Sequence, residues 1–367
     1  MWKIAAIVIV VVLSIVGLEL FNPITRSDLG IAETNLSPER CAAPKFTEFN
    51  LEFGTREKPS ANYERVSNEF LPYAVASLNG YRRNDTLVLS NYDRAWKVVD
   101  MKELGIHLPQ WNGFDFSVYS RDDGPATEVL VAFRGTDGLT FDEWFAGVPD
   151  WIFGNGSWFT QWVPWWDQYR SARRSFQSLI TWAKQSFGDR PVYYTVTGHS
   201  LGGGLAQHIA RAFPCVRAVS FNSSCVTNEF RLAAPFRDAE IVLISEDGDP
   251  LTRLCKWVFD IKNDERTHVY FGANMVLKRE KWLTQHSMDQ YSAGMSRMVV
   301  CCAQRTRLGQ DNSCKCTKKI EEGDFLKARR LYCGEHNRTE NDIACDNKSP
   351  WTPRYQQEDC VNQVRNC

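Results

Sequence analysis

The sequence predicts an α/β fold, with a mostly parallel central sheet and helices on both of its faces. Two observations carry this. Short apolar, β-branched runs recur at 129–133, 192–196, 216–221 and 241–245. Helical patterns separate the first three: 169–187 places Ala172, Phe176, Leu179, Ile180 and Ala183 at spacings of three and four, and 201–213 places Leu205, Ile209 and Phe213 four apart. Runs apolar on both faces suit strands covered on both sides, and strand–helix–strand alternation builds a sheet of that kind. With 367 residues, the chain can bury one sizeable core and still carry appendages.

Before the alternating centre, 63–78 reads as a helix, with Val66, Phe70, Tyr73, Ala74 and Leu78 on one side. Strand-like runs follow at 86–89, 94–99 and 114–119. At the N-terminus, 4–18 is an uninterrupted apolar run between Lys3 and Glu19. It is near the upper length of a signal-peptide core and short for a membrane span. The residues at its end and just beyond, Val16 to Leu20, make a poor cleavage site, so an uncleaved signal-anchor over 1–21 is favoured over a signal peptide. Lys3 would then stay cytoplasmic and the rest would face outward. Residues 22–60 hold Pro23, Pro38, Pro44 and Pro59 and read as a tether or lead-in. The core domain is expected over 61–296.

From about 297 the pattern gives way to a polar tail. Of twelve cysteines, eight lie there: Cys301, Cys302, Cys314, Cys316, Cys333, Cys345, Cys360 and Cys367. Such density reads as a disulfide framework. Zinc modules favour Cys-x2-Cys pairs, and the spacings here are Cys-Cys and Cys-x-Cys. Eight cysteines allow about 105 pairings, so connectivity stays open. Cys41, Cys215, Cys225 and Cys255 are either paired or merely buried. The net charge is −1, which gives no case for nucleic acid.

The strongest local signal is Gly198-His199-Ser200-Leu201-Gly202, followed by Gly203 and Gly204. It fits G-x-S-x-G, with a strand before it and an amphipathic helix after. A serine on such a sharp strand-to-helix turn needs small neighbours two residues either side. The turn lifts its hydroxyl clear of the sheet, near a helix N-terminus whose partial positive charge favours a developing anion. Ser200 is therefore the expected nucleophile.

Together with Phe133-Arg-Gly-Thr136, the run Gly198-His-Ser-Leu-Gly-Gly203 resembles the class 3 lipases, which are α/β-hydrolases acting on acylglycerols, phospholipids and related esters. The similarity spans 63–296. In this fold the triad follows the order Ser, Asp, His. The acid should follow 241–245, where Asp249-Pro-Leu-Thr-Arg-Leu254 matches the family's Asp-Pro-hydrophobic-x-x-Leu. Asp249 is the expected acid and Asp247 the alternative. For the base, His286 stands in a run similar to the family's terminal His-x-x-x-x-Tyr. His268, in the strand-like run 267–271, is the alternative. The oxyanion hole is expected from the N–H of Leu201 and, by the resemblance, from Thr136 through its N–H and its hydroxyl. Arg134-Gly135 would make the tight turn, with Arg134 paired to a local carboxylate.

Trp144, Trp151, Trp158, Trp162, Trp165 and Trp166 crowd the stretch after the oxyanion strand. The resemblance puts a lid there, and indole rings suit a lipid–water boundary. Core or substrate-groove aromatics are the other reading. The chain departs from the family's pattern at Gln161-Trp-Val-Pro-Trp-Trp166, in place of His-x-Gly-Phe, and at Phe221-Asn-Ser-Ser224, in place of Phe-Gly-x-Pro. Both bear on the substrate pocket. The sequence therefore predicts a serine ester hydrolase of lipase or phospholipase type, with a lipid or membrane surface as partner. No metal or organic cofactor is implied. An esterase on soluble or cell-wall esters is the alternative; an inert hydrolase scaffold with a partner-binding tail is a third reading. The expected location is anchored or exported, on the non-cytoplasmic side.

Overall fold

The computed structural model describes residues 24–25, 27–30, 46, 62–81, 90–91, 94–106, 113–136, 167–225, 227–229, 232–236, 239–246, 249, 251–253, 255, 267–271, 286–288, 291–292 and 295. The apolar segment 4–18, the tryptophan-rich stretch and the cysteine-rich tail lie outside them. Among the described residues no helix is long and apolar enough to cross a membrane.

Three long helices are described: α1 (Asn62–Asn79), α2 (Gln168–Phe187) and α3 (Leu201–Ala212). The strands are β1 (Ser90–Asn91), β2 (Arg94–Ala95), β3 (Lys97–Val99), β4 (Phe116–Asp123), β5 (Ala126–Phe133), β6 (Val192–His199), β7 (Val216–Phe221), β8 (Ile241–Ser245) and β9 (Thr267–Phe271). β1 and β2 form a small ladder. The other seven make one sheet in the order β3-β4-β5-β6-β7-β8-β9. β5 to β9 are parallel, and β4 and β3 extend the sheet antiparallel. The expected mostly parallel α/β sheet is present.

Residues of β5 are buried along the whole strand, because alternate side chains enter two different cores. On one face Val129, Val131 and Phe133 meet Phe176 and Leu179 of α2 and Leu205 and Ile209 of α3. On the other, Leu130 and Ala132 join Val66, Phe70, Tyr73 and Leu78 of α1, with Met288, Tyr291 and Met295 from the C-terminal helical residues. A side chain as fully buried as Phe70 stabilises by roughly 1.5–3 kcal/mol. α1 runs through Pro72 despite the lost N–H, since its apolar face continues on both sides of that residue. α2 starts where Asp167 caps it, accepting the Tyr169 N–H at 2.9 Å. It stops at Gly188, whose φ of 59° few other residues adopt easily.

Within 22–60, Leu29 and Phe46 are buried, and the Phe46 N–H donates to Glu240 Oε1 at 2.7 Å. The expected strand over 94–99 is two short strands, with the break at buried Trp96. Its ring lies edge-on to Tyr73 and under the Arg121 guanidinium, 4.4 Å from the ring centroid.

Candidate active site

All parallel strands end on one side of the sheet, and the expected site residues gather there. β6 ends at His199 and α3 begins at Leu201, so Ser200 alone makes the turn. It has φ 57° and ψ −124° and makes no side-chain cap to the helix. A non-glycine residue in the left-handed region costs on the order of 1–3 kcal/mol and persists where its surroundings impose it. The surroundings here are glycine contacts. A Cβ on Gly198 would run into Gly202, and one on Gly202 would run into the Phe133 carbonyl at the end of β5. The Ser200 N–H donates to Phe221 O at 3.1 Å, and its carbonyl accepts from Gly203, Gly204 and Ser224 at 3.1, 3.3 and 2.8 Å.

That close approach seats the end of β5 against the elbow, with Arg134-Gly135-Thr136 beside it. Arg134 donates to Gly113 O at 2.8 Å and pairs with Asp115 at 3.4 Å, as expected for a guanidinium that anchors the turn. The Thr136 hydroxyl is buried and has no hydrogen-bond partner among the described residues, a state that costs free energy unless something occupies it. Leu201 is buried as the first residue of α3, where helix geometry gives its N–H no intrahelical acceptor.

Asp249 follows β8 and is completely buried. Its Oδ2 accepts the Thr252 N–H at 2.6 Å, and its Oδ1 lies 2.6 Å from His286 Nδ1. A carboxylate only accepts, so His286 carries a proton on Nδ1, and in the neutral imidazole Nε2 is the bare nitrogen. The structure thus brings Asp249 and His286 together. His268 is in β9, opposite Val242, and Asp247 lies outside the described residues. His208 is turned elsewhere, between Thr227 O at 2.6 Å and Arg173 at 2.8 Å.

Two residues the sequence did not single out join the site. His199 Nε2 lies 2.6 Å from the backbone carbonyl of His286, and its Nδ1 lies 2.9 Å from the Tyr81 hydroxyl. The His199 and His286 rings are 4.6 Å apart between centroids. Burial, aided by His286 and opposed by that backbone bond, holds the His199 pKa well below its ordinary 6.5. The signal for His199 was its place inside the elbow motif; for Tyr81 the sequence held none. A disulfide joins Cys225 to Cys255, linking the segment after β7 to the short helix after Asp249. Among the described residues, no group of three or more His, Cys, Asp or Glu could hold a metal ion.

Comparison with known families matches residues 73–241 to a phospholipase-like model, the Tle-like phospholipase domain. That span contains Thr136, His199 and Ser200 and ends before Asp249 and His286. No curated protein matches the chain. The match supports a lipase- or phospholipase-type family for this α/β core, and not the class 3 lipases specifically.

Proposed function

We propose that the chain is a serine ester hydrolase that cleaves acyl esters of lipids, through Ser200, His286 and Asp249. The observation that carries the reading is the Asp249–His286 hydrogen bond of 2.6 Å, made on the side of the sheet where Ser200 holds a strained elbow. His286 Nε2 takes the Ser200 proton as Oγ attacks the ester carbonyl carbon. The tetrahedral oxyanion is met by the N–H of Leu201 and by Thr136, whose buried hydroxyl has no partner among the described residues and fits that role. Imidazolium Nε2–H then protonates the leaving alkoxide, giving an alcohol and acyl-Ser200. Water enters with its proton passing to His286, the acyl–oxygen bond breaks, and the fatty acid leaves while Oγ recovers its proton. Asp249 keeps the imidazole in the Nδ1–H tautomer and stabilises its charged form.

Lipid as substrate rests on the phospholipase-type match and on the sequence likeness to class 3 lipases. An oxidising, non-cytoplasmic location is part of the same proposal, supported by the Cys225–Cys255 disulfide. The test is hydrolysis of diacyl phospholipid vesicles alongside p-nitrophenyl butyrate. The native protein should release fatty acid from the vesicles and Ser200→Ala should release none, a loss of about 10⁴-fold or more. Native-like rates in folded Ser200→Ala would overturn the mechanism. Cleavage of the soluble ester with intact vesicles would overturn the lipid substrate.

A further inference from the structure

We propose that His199 is the positioning residue for the base: with its tautomer fixed by Tyr81, it holds the main chain of His286 so that the His286 ring stays aimed at Ser200. The proposal rests on the Ser200–His286–Asp249 reading and deepens it.

The hydrogen-bond chemistry leaves one arrangement. The His286 carbonyl can only accept, so His199 Nε2 carries the proton and donates across the 2.6 Å contact. His199 Nδ1 is then bare and accepts from the Tyr81 hydroxyl at 2.9 Å. Each bond requires the other, since the opposite tautomer would set a lone pair against the His286 carbonyl oxygen. Asp249 grips the His286 ring at one atom, and one hydrogen bond leaves an imidazole able to swing about that contact. Holding its carbonyl, two bonds from Cα, removes that freedom. The His199 ring, tilted against the His286 ring at 4.6 Å between centroids, restricts it further.

The same pair reaches the oxyanion side. A Cβ on Gly135 would collide with the Tyr81 hydroxyl and would come within 2.5 Å of the His199 carbonyl. Tyr81, directly after α1, therefore touches the loop that carries Thr136 while it sets the ring that holds His286. A neutral His199 is also the form the reaction needs. A second positive charge beside His286 would oppose the imidazolium that forms as Ser200 is deprotonated, and the burial of His199 disfavours that charge.

The test uses the full chain with p-nitrophenyl butyrate, recording kcat, KM and Tm. His199→Leu should lower kcat by about 10–100-fold with KM unchanged, the size of effect a small misplacement of a catalytic group produces. His199→Gln, whose amide N–H can reach the same carbonyl, should recover most of that loss. Tyr81→Phe should lower kcat by about 3–10-fold, and adding it to His199→Leu should cost nothing more, because the phenol acts through the ring. Native kcat in folded His199→Leu, no recovery with His199→Gln, or full additivity with Tyr81→Phe would each overturn the proposal. If His199→Leu fails to fold, a native kcat in Tyr81→Phe overturns it and a reduced kcat at unchanged KM upholds it. Labelling of native Ser200 by a fluorophosphonate separates the two readings. An unlabelled serine sinks the triad and this proposal together; a labelled one with an unaffected His199→Leu sinks this proposal alone.

Discussion

Ser200 occupies backbone space that serine avoids, and three glycines make that possible. Gly203 completes the set: a Cβ there would come within 2.6 Å of the Ser223 hydroxyl. Gly202→Ala has no flexible side chain to push aside, because it meets the main chain of β5. We expect it to destabilise the fold by about 1–3 kcal/mol, read as a lower urea midpoint, and to cut ester hydrolysis in whatever folds. Unchanged stability and activity would show that β5 does not press on the elbow. The glycines were legible in the sequence, since only a tight strand-to-helix turn explains small residues on both sides of a serine. Tyr81 was not, because its role exists only once the residues after α1 are folded over the end of β6.

At the scale of elements, the apolar runs marked the strand cores but not their ends. The apolar run of β6 ends at Val196, and the strand continues through Thr197, Gly198 and His199. Thr197 looks like loop chemistry in sequence. In the fold its buried hydroxyl donates to Val219 O at 2.7 Å and contacts Ser77 at 3.0 Å, so the polar group is satisfied inside the sheet. β4 runs on to Asp123 for a related reason, since it lies toward an edge where polar side chains reach solvent. The Cys225–Cys255 disulfide ties the segment after β7 to the short helix after Asp249, across a separation of 30 residues. Closing a loop of that size stabilises by about 3–4 kcal/mol in the chain-entropy view. Its removal also frees the segment holding Ser224, whose N–H binds the Ser200 carbonyl. Cys225→Ser with Cys255→Ser should lower Tm by several degrees and reduce kcat more than it raises KM. A variant equal to the native protein in both would show that the disulfide does not brace the acid loop.

Across the whole molecule, the end of the sheet away from Ser200 is fixed by charge. Glu128 is fully buried and accepts from Thr195 at 2.5 Å and from Arg121 and Arg217 at 2.7 and 3.1 Å. Burial alone would raise its pKa, but the two guanidinium groups and these bonds outweigh it, so the carboxyl stays below its ordinary 4.5. Sequence patterning does not reveal this cluster: Glu128 and Arg217 look like solvent-facing charges within strands until the register brings them together. Glu128→Gln strands Arg217 among aromatic rings and should cost about 3–5 kcal/mol, measured by chemical denaturation. A linked pH effect follows. Both depressed groups bind protons more weakly in the folded state, so folding stability falls as pH drops. The decline begins near 6.5 from His199 and steepens below 4.5 from Glu128. Stability that is flat from pH 7 to pH 4 would contradict this.

On the proposed mechanism, the sheet, the elbow and the acid–base pair converge on one atom, the Oγ of Ser200. Mass spectrometry after reaction with a fluorophosphonate tests that convergence most directly. The adduct should sit on Ser200, and the labelling rate should fall at least about 100-fold in His286→Ala and in Asp249→Ala. Folded native protein that carries no adduct on Ser200, or variants that label as fast as the native chain, would contradict it.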